Sequence, residues 1–537
     1  LDKGGKGGFQ SARAKYQAIL NKKPEGEWAE KCRYGIGWTH FSEATLLSSG
    51  SNQAQHYERS IKAWQEVIAN HPTGEFADKA QYHIGIAYIN LKRYSEAINA
   101  FKLVISSYPG SNWQDDASYQ IGWSLYKQEK YPEAIVAVND MLTKYPGSQL
   151  VPKAIFGVAN SYFKQGKYAE AIKNYQRVVD QFPNLKLPIR EAGAEKIVDI
   201  RPEAQYYIAE SFQNLQNYTE AIRAYEKVIQ HYPKSEWADD AQYGIAIAYE
   251  NLGQKEKSMG AYRKLMEAYS DRELAPDVQI QIARLYYLDK DYKRAIAEFQ
   301  KAINQYPNTP SAWLAQYNIG KCYIALGSYR QAITAFERVD ARSELAPTAL
   351  YESGYAWYDK DNPGRNLGNA VNALLQVPQK YPKSPDAPRA LLLAGECYQE
   401  LVEWEKAVKI YRQILDAYPN SEQAKLAQLN MGHAFAAQKK YQQAVEAYDV
   451  IREKGTDRYP VDIVIEAVIH LAETQSLMGR HYDAGVTYLR VPLLYKQHDP
   501  LSALAATVRA ADAFAKAGKI YMAKDSYKDA IKFYEAN

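Results

Sequence analysis

Nine histidines, three cysteines and 62 acidic residues are the groups in this 537-residue chain from which a metal or nucleophilic site could be assembled. Metal ligation announces itself in a sequence by donors at short, regular spacing. The histidines contain no pair four residues apart and no His/Cys cluster at metal spacing. Cys32, Cys322 and Cys397 are an odd and sparse set, and they read as small buried hydrophobes. The only Gly/Lys cluster, Lys3 to Gly8, lacks both the following Ser/Thr and the preceding strand of a phosphate loop. No nucleophile elbow is present. The expectation is a non-enzymatic protein with no catalytic residue, no metal and no cofactor.

Recognition is the chemistry that remains, and its material is aromatic. The chain holds 46 tyrosines, and 13% of its residues are Phe, Trp or Tyr. Tyrosine offers a large rigid ring with a polar tip. The net charge of +4 arises from 66 basic against 62 acidic residues. That near balance gives no nucleic-acid footprint. No apolar run approaches the roughly 18–20 residues that would span a bilayer. The chain opens at Leu1 with no signal peptide in view, from which a cleaved or trimmed N-terminus is expected.

The elements that position these aromatics repeat. DKAQYHIGIAYINLKRYSEAINAFKLVISSYP, ending at Pro109, is followed by DDASYQIGWSLYKQEKYPEAIVAVNDMLTKYP (115–146) at a step of 37 residues. Ile84, Gly85 and Tyr88, then Tyr94, Ala97, Ile98, Phe101, Val104 and Ile105, recur at spacings of three, four and seven, the period of one helix face. Between the halves lies a short polar turn, which in sister units contains Gly166, Gly253 or Gly327. Glu96, Glu133, Glu170 and Glu220 fall in the first turn of the second helix, where a carboxylate meets the positive helix end. The closing Tyr-Pro stops that helix, because proline disfavours the helical conformation of the residue before it. Each unit is therefore expected to be helix A, tight turn, helix B, stop. Gly85, Gly122, Gly320 and Gly432 on helix A, with Ala97, Ala134, Ala171, Ala221, Ala295, Ala332 and Ala444 on helix B, leave room for close helix approach.

Ile84-Gly85, Tyr88, Tyr94, Ala97, Phe101 and Pro109 fall in order on the pattern of the tetratricopeptide repeat, which the unit resembles. Two departures stand out. Gln81 occupies the usual Trp position, and Ser111-Asn112-Trp113 lengthens the period from 34 to 37 residues. The longer period and its Tyr-Pro-x-Ser spacer are similar to repeats of bacterial envelope proteins, such as the lipoprotein subunit of the barrel-assembly machine and the coordinator of the Tol–Pal system. The array also resembles the superhelical arm of O-linked GlcNAc transferases, with no glycosyltransferase domain following. The resemblance implies an all-α, right-handed superhelical solenoid of helix-turn-helix repeats.

Along the chain, residues 1–26 are expected to form a leader and an orphan helix (FQSARAKYQAILNKKP, 9–24). Repeats 1–4 occupy 27–183, with an insertion at 42–56 stretching the first turn. An inserted loop, NLKLPIREAGAEKIVDI, covers 184–200, and insertions in repeat arrays often carry function. Repeats 5–11 follow over 201–456, with a longer turn in repeat 9 (DKDNPGRNLG). Degenerate capping repeats 12 and 13 fill 457–537, and the charged face of the last helix, YMAKDSYKDAIKFYEAN, is expected to close the array against water.

The resemblance places helix A on the concave groove. Three residues before each small position stand Tyr34, Tyr82, Tyr119, Phe156, Tyr206, Tyr243, Tyr317 and Tyr351. One residue after it stand Trp38, Ile86, Trp123, Asn160, Glu210, Ile247, Arg284, Lys321, Tyr355, Glu396 and His433. Trp38, Tyr82, Tyr119, Trp123, Tyr206 and Tyr243 are the groove candidates. The first series reads equally as phenols packed between adjacent A helices. A two-carboxylate peptide clamp is not expected, since repeats 1–3 put aromatic or aliphatic residues where its Lys/Asn would stand. The expected function is a scaffold holding a protein partner, within a membrane-associated complex, and no nucleic acid. The setting is periplasmic or outer-membrane-associated, with the cytoplasm as alternative. Alternatives are a structural subunit of a homo- or hetero-oligomeric assembly, for which the orphan helix would dock on another chain, and an accessory arm binding glycan or cell-wall polymer for an associated machine.

Overall fold

The computed structural model describes residues 6–47, 50–183, 185, 187–191 and 194–536. The chain divides into two compact units, Leu1–Ala275 and Pro276–Asn537. Within each, helix pairs follow one another along the chain, as the repeat pattern predicts. In repeat 2 helix A is Ala77–Asn90 and helix B is Tyr94–Ser107; in repeat 3 they are Gln114–Lys127 and Tyr131–Lys144. The turn between them needs one residue at positive φ. Glycine supplies it at Gly166 and Gly253, whereas Lys92 (φ 57°) and Glu129 (φ 60°) adopt it at a steric cost.

The small positions do what their type predicts. A Cβ placed on Gly85 would overlap the Phe101 ring, one on Gly320 the Phe336 ring, and one on Gly432 the Tyr448 ring. All three rings are fully buried. The same pairing holds in repeat 1, with Gly37 against Trp64. Near the other end the contact is reversed: Gly485 lies on the His481–Tyr488 helix B and meets Phe514 on the Pro500–Lys516 helix A of the next repeat.

Gln81, the departure from the usual Trp, has a structural role of its own. Its buried amide donates to the carbonyl of Ala100 on helix B at 3.0 Å. Gln205 does the same to Ala224, and Gln242 to Ala261, each at 3.0 Å. In the second unit Gln316 reaches Ala335 at 2.9 Å and Gln428 reaches Ala447 at 2.8 Å. The lengthened spacer is also tied down. Ser111 Oγ donates to Asp78 in the first turn of helix A at 2.7 Å, and Ser148 repeats the bond to Asp115 at 2.6 Å. In repeats 2 and 3 the spacer serine thus fastens the repeat's exit to its own entrance, which gives the 37-residue period a physical basis there.

Five expectations are corrected. Residues 1–5 of the leader lie outside the described residues, but a helix already begins at Lys6 (Lys6–Lys22), so 6–8 are not a flexible extension. That helix is not free to seek another chain: Phe9 and Leu20 are buried, Tyr16 lies against Gly35, and Arg13 pairs with Glu43 at 2.6 Å. The 42–56 insertion is mostly taken up as helix, so repeat 1 has long helices, Glu27–Thr45 and Ser51–Asn70. The 184–200 segment is a hairpin rather than a loop: β1 (Leu187–Glu191) pairs antiparallel with β2 (Ala194–Val198), Leu187 opposite Val198. It is the sheet among the described residues of an otherwise helical chain; Asn184, Lys186, Ala192 and Gly193 lie outside them. The last helix, Ile520–Ala536, does not present a uniformly charged face, since Ile520, Ile531 and Tyr534 are exposed and Tyr521 is 87% accessible.

Two substitutions test this packing by urea unfolding. Gly85→Ala is expected to destabilise by about 1–3 kcal/mol through overpacking on Phe101. Gly157→Ala, also mid-helix but with open space around its Cβ position, is expected to stabilise by about 0.5–1 kcal/mol. Equal effects would break the argument. Gln242→Leu, which keeps the volume and removes the bond to Ala261, is expected to cost about 1 kcal/mol.

Candidate functional site

Helix A carries the residues that reach the open side of each repeat. On Arg201–Asn214, Glu203, Tyr207 and Glu210 are spaced by four and three, so they share one face. On Val461–Leu477 the equivalent residues are Glu466, His470 and Glu473. The residue that follows the small position in one repeat meets the residue two before it in the next. Trp38 is edge-on to His83 at 5.1 Å, and His433 is edge-on to His470 at 4.6 Å. Lys321 acts on the half-buried Glu352 in the same register. Neighbouring A helices thus share a continuous strip within each unit.

The tyrosine series sits deeper. Tyr82 and Tyr119 are each only 7% exposed. Tyr82 stacks on Trp113 at 4.7 Å and tilts against Phe101 at 5.5 Å. Burial pushes both phenols far up from their ordinary value. These two residues are packing between consecutive repeats, which corrects their placement among groove contacts. Tyr206 is half-buried and tilts on Trp237 at 4.9 Å, and Tyr243 is half-buried with Tyr262 at 5.7 Å. Trp38 and Trp123 remain half-exposed on the strip. Trp38 stacks on Phe41 at 5.7 Å, and the Lys127 ammonium lies over the Trp123 ring at 5.1 Å.

The strip of the first unit is acidic as well as aromatic. Burial, aided by neighbouring Asp115, raises the Asp116 carboxyl to about 6, against the pull of Lys153. Burial, aided by Glu236, raises Glu203 to about 7. Glu210 and Asp240 are also raised, again mainly by burial. Around them stand Tyr207, stacked on the buried Tyr175 at 5.7 Å, and Trp237, tilted on Tyr207 at 5.7 Å. Sequence reasoning found Glu210 but missed Glu203, Tyr207 and Asp240. For Tyr207 and Glu203 the signal was available as the positions three and seven residues earlier on the same helix face, whereas Asp240 lies on the A helix of the next repeat.

Folding also assembles histidine clusters that chain spacing conceals. Donor atoms of His40, Glu43 and His56 converge, as do those of His433, Glu466 and His470. Each draws on two helices. Burial, with the nearby Arg13, His56 and Arg59, holds His40 down at about 4, and burial with neighbouring His470 does the same to His433.

Comparison with known proteins agrees with this architecture. A family model described as outer membrane lipoprotein (YfiO) matches residues 82–271. Two tetratricopeptide repeat models match 317–385 and 389–421, and a model of anaphase-promoting complex, cyclosome, subunit 3 matches 251–339. No curated protein matches the chain. Among solved structures, a tetratricopeptide repeat protein from Parabacteroides merdae is 18% identical, covering 51% of this chain and 98% of its own, with a TM-score of 0.33. The C-terminal part of a repeat-containing protein from Cytophaga hutchinsonii is 19% identical, with coverages of 51% and 98% and a TM-score of 0.38. The helix pairs and the small-to-large contacts, with the family models that match residues 317–385 and 389–421, show tetratricopeptide repeats in this chain.

Proposed function

We propose that the chain is a non-enzymatic scaffold that holds an extended or helical segment of a protein partner along the helix-A strip, in a bacterial envelope assembly. The observation that carries this reading is the strip itself: half-buried aromatics and carboxylates held in register from repeat to repeat. Tetratricopeptide arrays support protein–protein interaction generally, and the match of residues 82–271 to the outer membrane lipoprotein model favours the envelope setting. No helix among the described residues is long and apolar enough to cross a membrane. A partner in a bilayer would therefore be engaged through its exposed segments.

The first unit favours a basic segment. A carboxylate with a raised pKa has lost hydration, and a Lys or Arg placed beside it restores what burial removed. Aromatic neighbours add stacking and cation–π attraction. Binding would favour the ionised carboxylates and so release protons. Affinity for a cationic segment should then rise with pH across the range from about 6 to about 7 where Asp116 and Glu203 titrate.

Titrating the full chain with an Arg-rich peptide and with a Glu-rich counterpart at pH 5.5 and 7.5 tests this chemistry. The Arg-rich peptide is expected to bind more tightly at the higher pH, and Glu203→Gln/Glu210→Gln to remove most of that difference. Equal binding of both peptides would overturn the acidic-strip reading. For the groove itself, capture from native envelope extract should retain a protein that Trp38→Ala/Trp123→Ala loses. Retention by both forms would move the site to the 184–200 hairpin or the opposite face.

A further inference from the structure

The second unit contains a set of side chains that partner binding does not explain. His433 lies on the Glu422–Ala437 helix, and Glu466, His470 and Glu473 lie on the Val461–Leu477 helix. These are the A helices of consecutive repeats, and the four residues occupy the strip face. His433 Nε2 stands 3.8 Å from Glu466 Oε1, and His470 Nε2 stands 3.9 Å from the same oxygen. All three donor atoms lie within 4.8 Å of one another. Neither separation to Glu466 is a hydrogen bond, which requires about 2.7–3.2 Å. The His433 Nε2 atom is shut off from solvent and has no hydrogen-bond partner. A buried ring nitrogen left unsatisfied is costly and calls for an explanation.

The other nitrogen of His470 is accounted for. His470 Nδ1 lies 2.8 Å from Glu473 Oε2, and Glu473 is held in turn by Arg509. A carboxylate that accepts Nδ1–H leaves the Nε2 lone pair directed away from it, the arrangement that orients metal-ligating histidines. Two imidazole nitrogens and one carboxylate oxygen therefore converge without bonding to one another, and one imidazole already has its orienting carboxylate.

We propose that His433 Nε2, His470 Nε2 and Glu466 Oε1 bind a divalent transition-metal ion of the zinc class, with Glu473 as the positioning residue. Tetrahedral zinc with bonds of about 2.0–2.1 Å puts its ligand atoms about 3.3 Å apart. The two separations to Glu466 must close by about 0.5 Å to reach that geometry, and the imidazole nitrogens, within 4.8 Å of one another, by at most about 1.5 Å. Glu466 is exposed, so its side chain supplies the movement of the carboxylate, and rotation of the two rings supplies the rest. Two imidazoles with one carboxylate suit zinc, copper or nickel rather than magnesium or calcium, which take oxygen ligands. Three protein ligands leave a coordination position for water or a donor from a partner. The ion would link the A helices of two consecutive repeats.

The first-unit cluster of His40, Glu43 and His56 is the natural control. There the Glu43 carboxylate is taken by Arg13 at 2.6 Å, and Arg59 adds positive charge. Those cations occupy and repel where an ion would sit.

Calorimetric titration of the chelator-treated full chain with zinc chloride, and the visible spectrum of its cobalt(II) form, test the site independently of any partner. One saturable equivalent with a tetrahedral cobalt spectrum is expected. His433→Ala and His470→Gln should each abolish it, with far-UV circular dichroism unchanged. Glu473→Gln should weaken it about 10–100-fold, and His40→Ala should leave it intact. No saturable equivalent in the parent would overturn the site, as would zinc binding that survives both His433→Ala and His470→Gln or is lost in His40→Ala instead.

Discussion

The repeats with glycine at the small position of helix A and an aromatic opposite depend on one contact: a residue without a side chain against a fully buried ring on helix B. Gly85 against Phe101, Gly395 against Tyr411 and Gly432 against Tyr448 are the same solution at different points in the chain. Close approach lets the ring fill the space that a Cβ would take, and interiors packed at crystal-like density leave no slack for an extra methyl. It also brings the buried glutamine of helix A within reach of a helix B carbonyl, as at Gln205 and Ala224. A Trp at that position would fill space; the glutamine instead ties the two helices together by a hydrogen bond whose donor is buried and therefore expensive to leave unpaired.

The recognition surface is a by-product of this packing. Once one face of helix A is committed to the small-to-large contact, the face that carries Glu203, Tyr207 and Glu210, or Glu466, His470 and Glu473, is turned the other way. That face varies from repeat to repeat, although some of its residues still meet a buried ring, as Tyr207 meets Tyr175. Its side chains nevertheless touch those of the next repeat, as His433 touches His470. Partial burial then alters their chemistry, raising carboxylates such as Glu203 and lowering imidazoles such as His433. An acidic, aromatic stretch in the first unit and a histidine–carboxylate cluster in the second come from the same geometric positions filled with different residues.

Departures from the repeat were the least legible parts of the chain. The 42–56 insertion carries Ser, Gly and Asn, which favour turns, yet most of it continues the flanking helices because Ala44, Tyr57 and Ile61 have a core to enter. The 184–200 segment pairs as β1 and β2 through backbone hydrogen bonds, which side-chain periodicity over so few residues does not announce. Tyr82 and Tyr119 looked like contact residues because a repeated tyrosine suits both a groove and a core; Trp113, invisible as a partner in the linear order, decides for the core at Tyr82.

By itself, the sequence determined the helix pair, its turn, its stop and its 37-residue recurrence. These follow from local rules: helical periodicity, small residues facing large ones, a positive-φ turn and a proline that ends the helix. It also determined the absence of any local catalytic motif. Only the tertiary structure decided which aromatics are core and which are surface, what Gln81 and Ser111 are for, and that His433 stands beside His470. Those facts join residues on different helices, and a linear pattern records the spacing within a helix but not the side chain that the next helix brings against it.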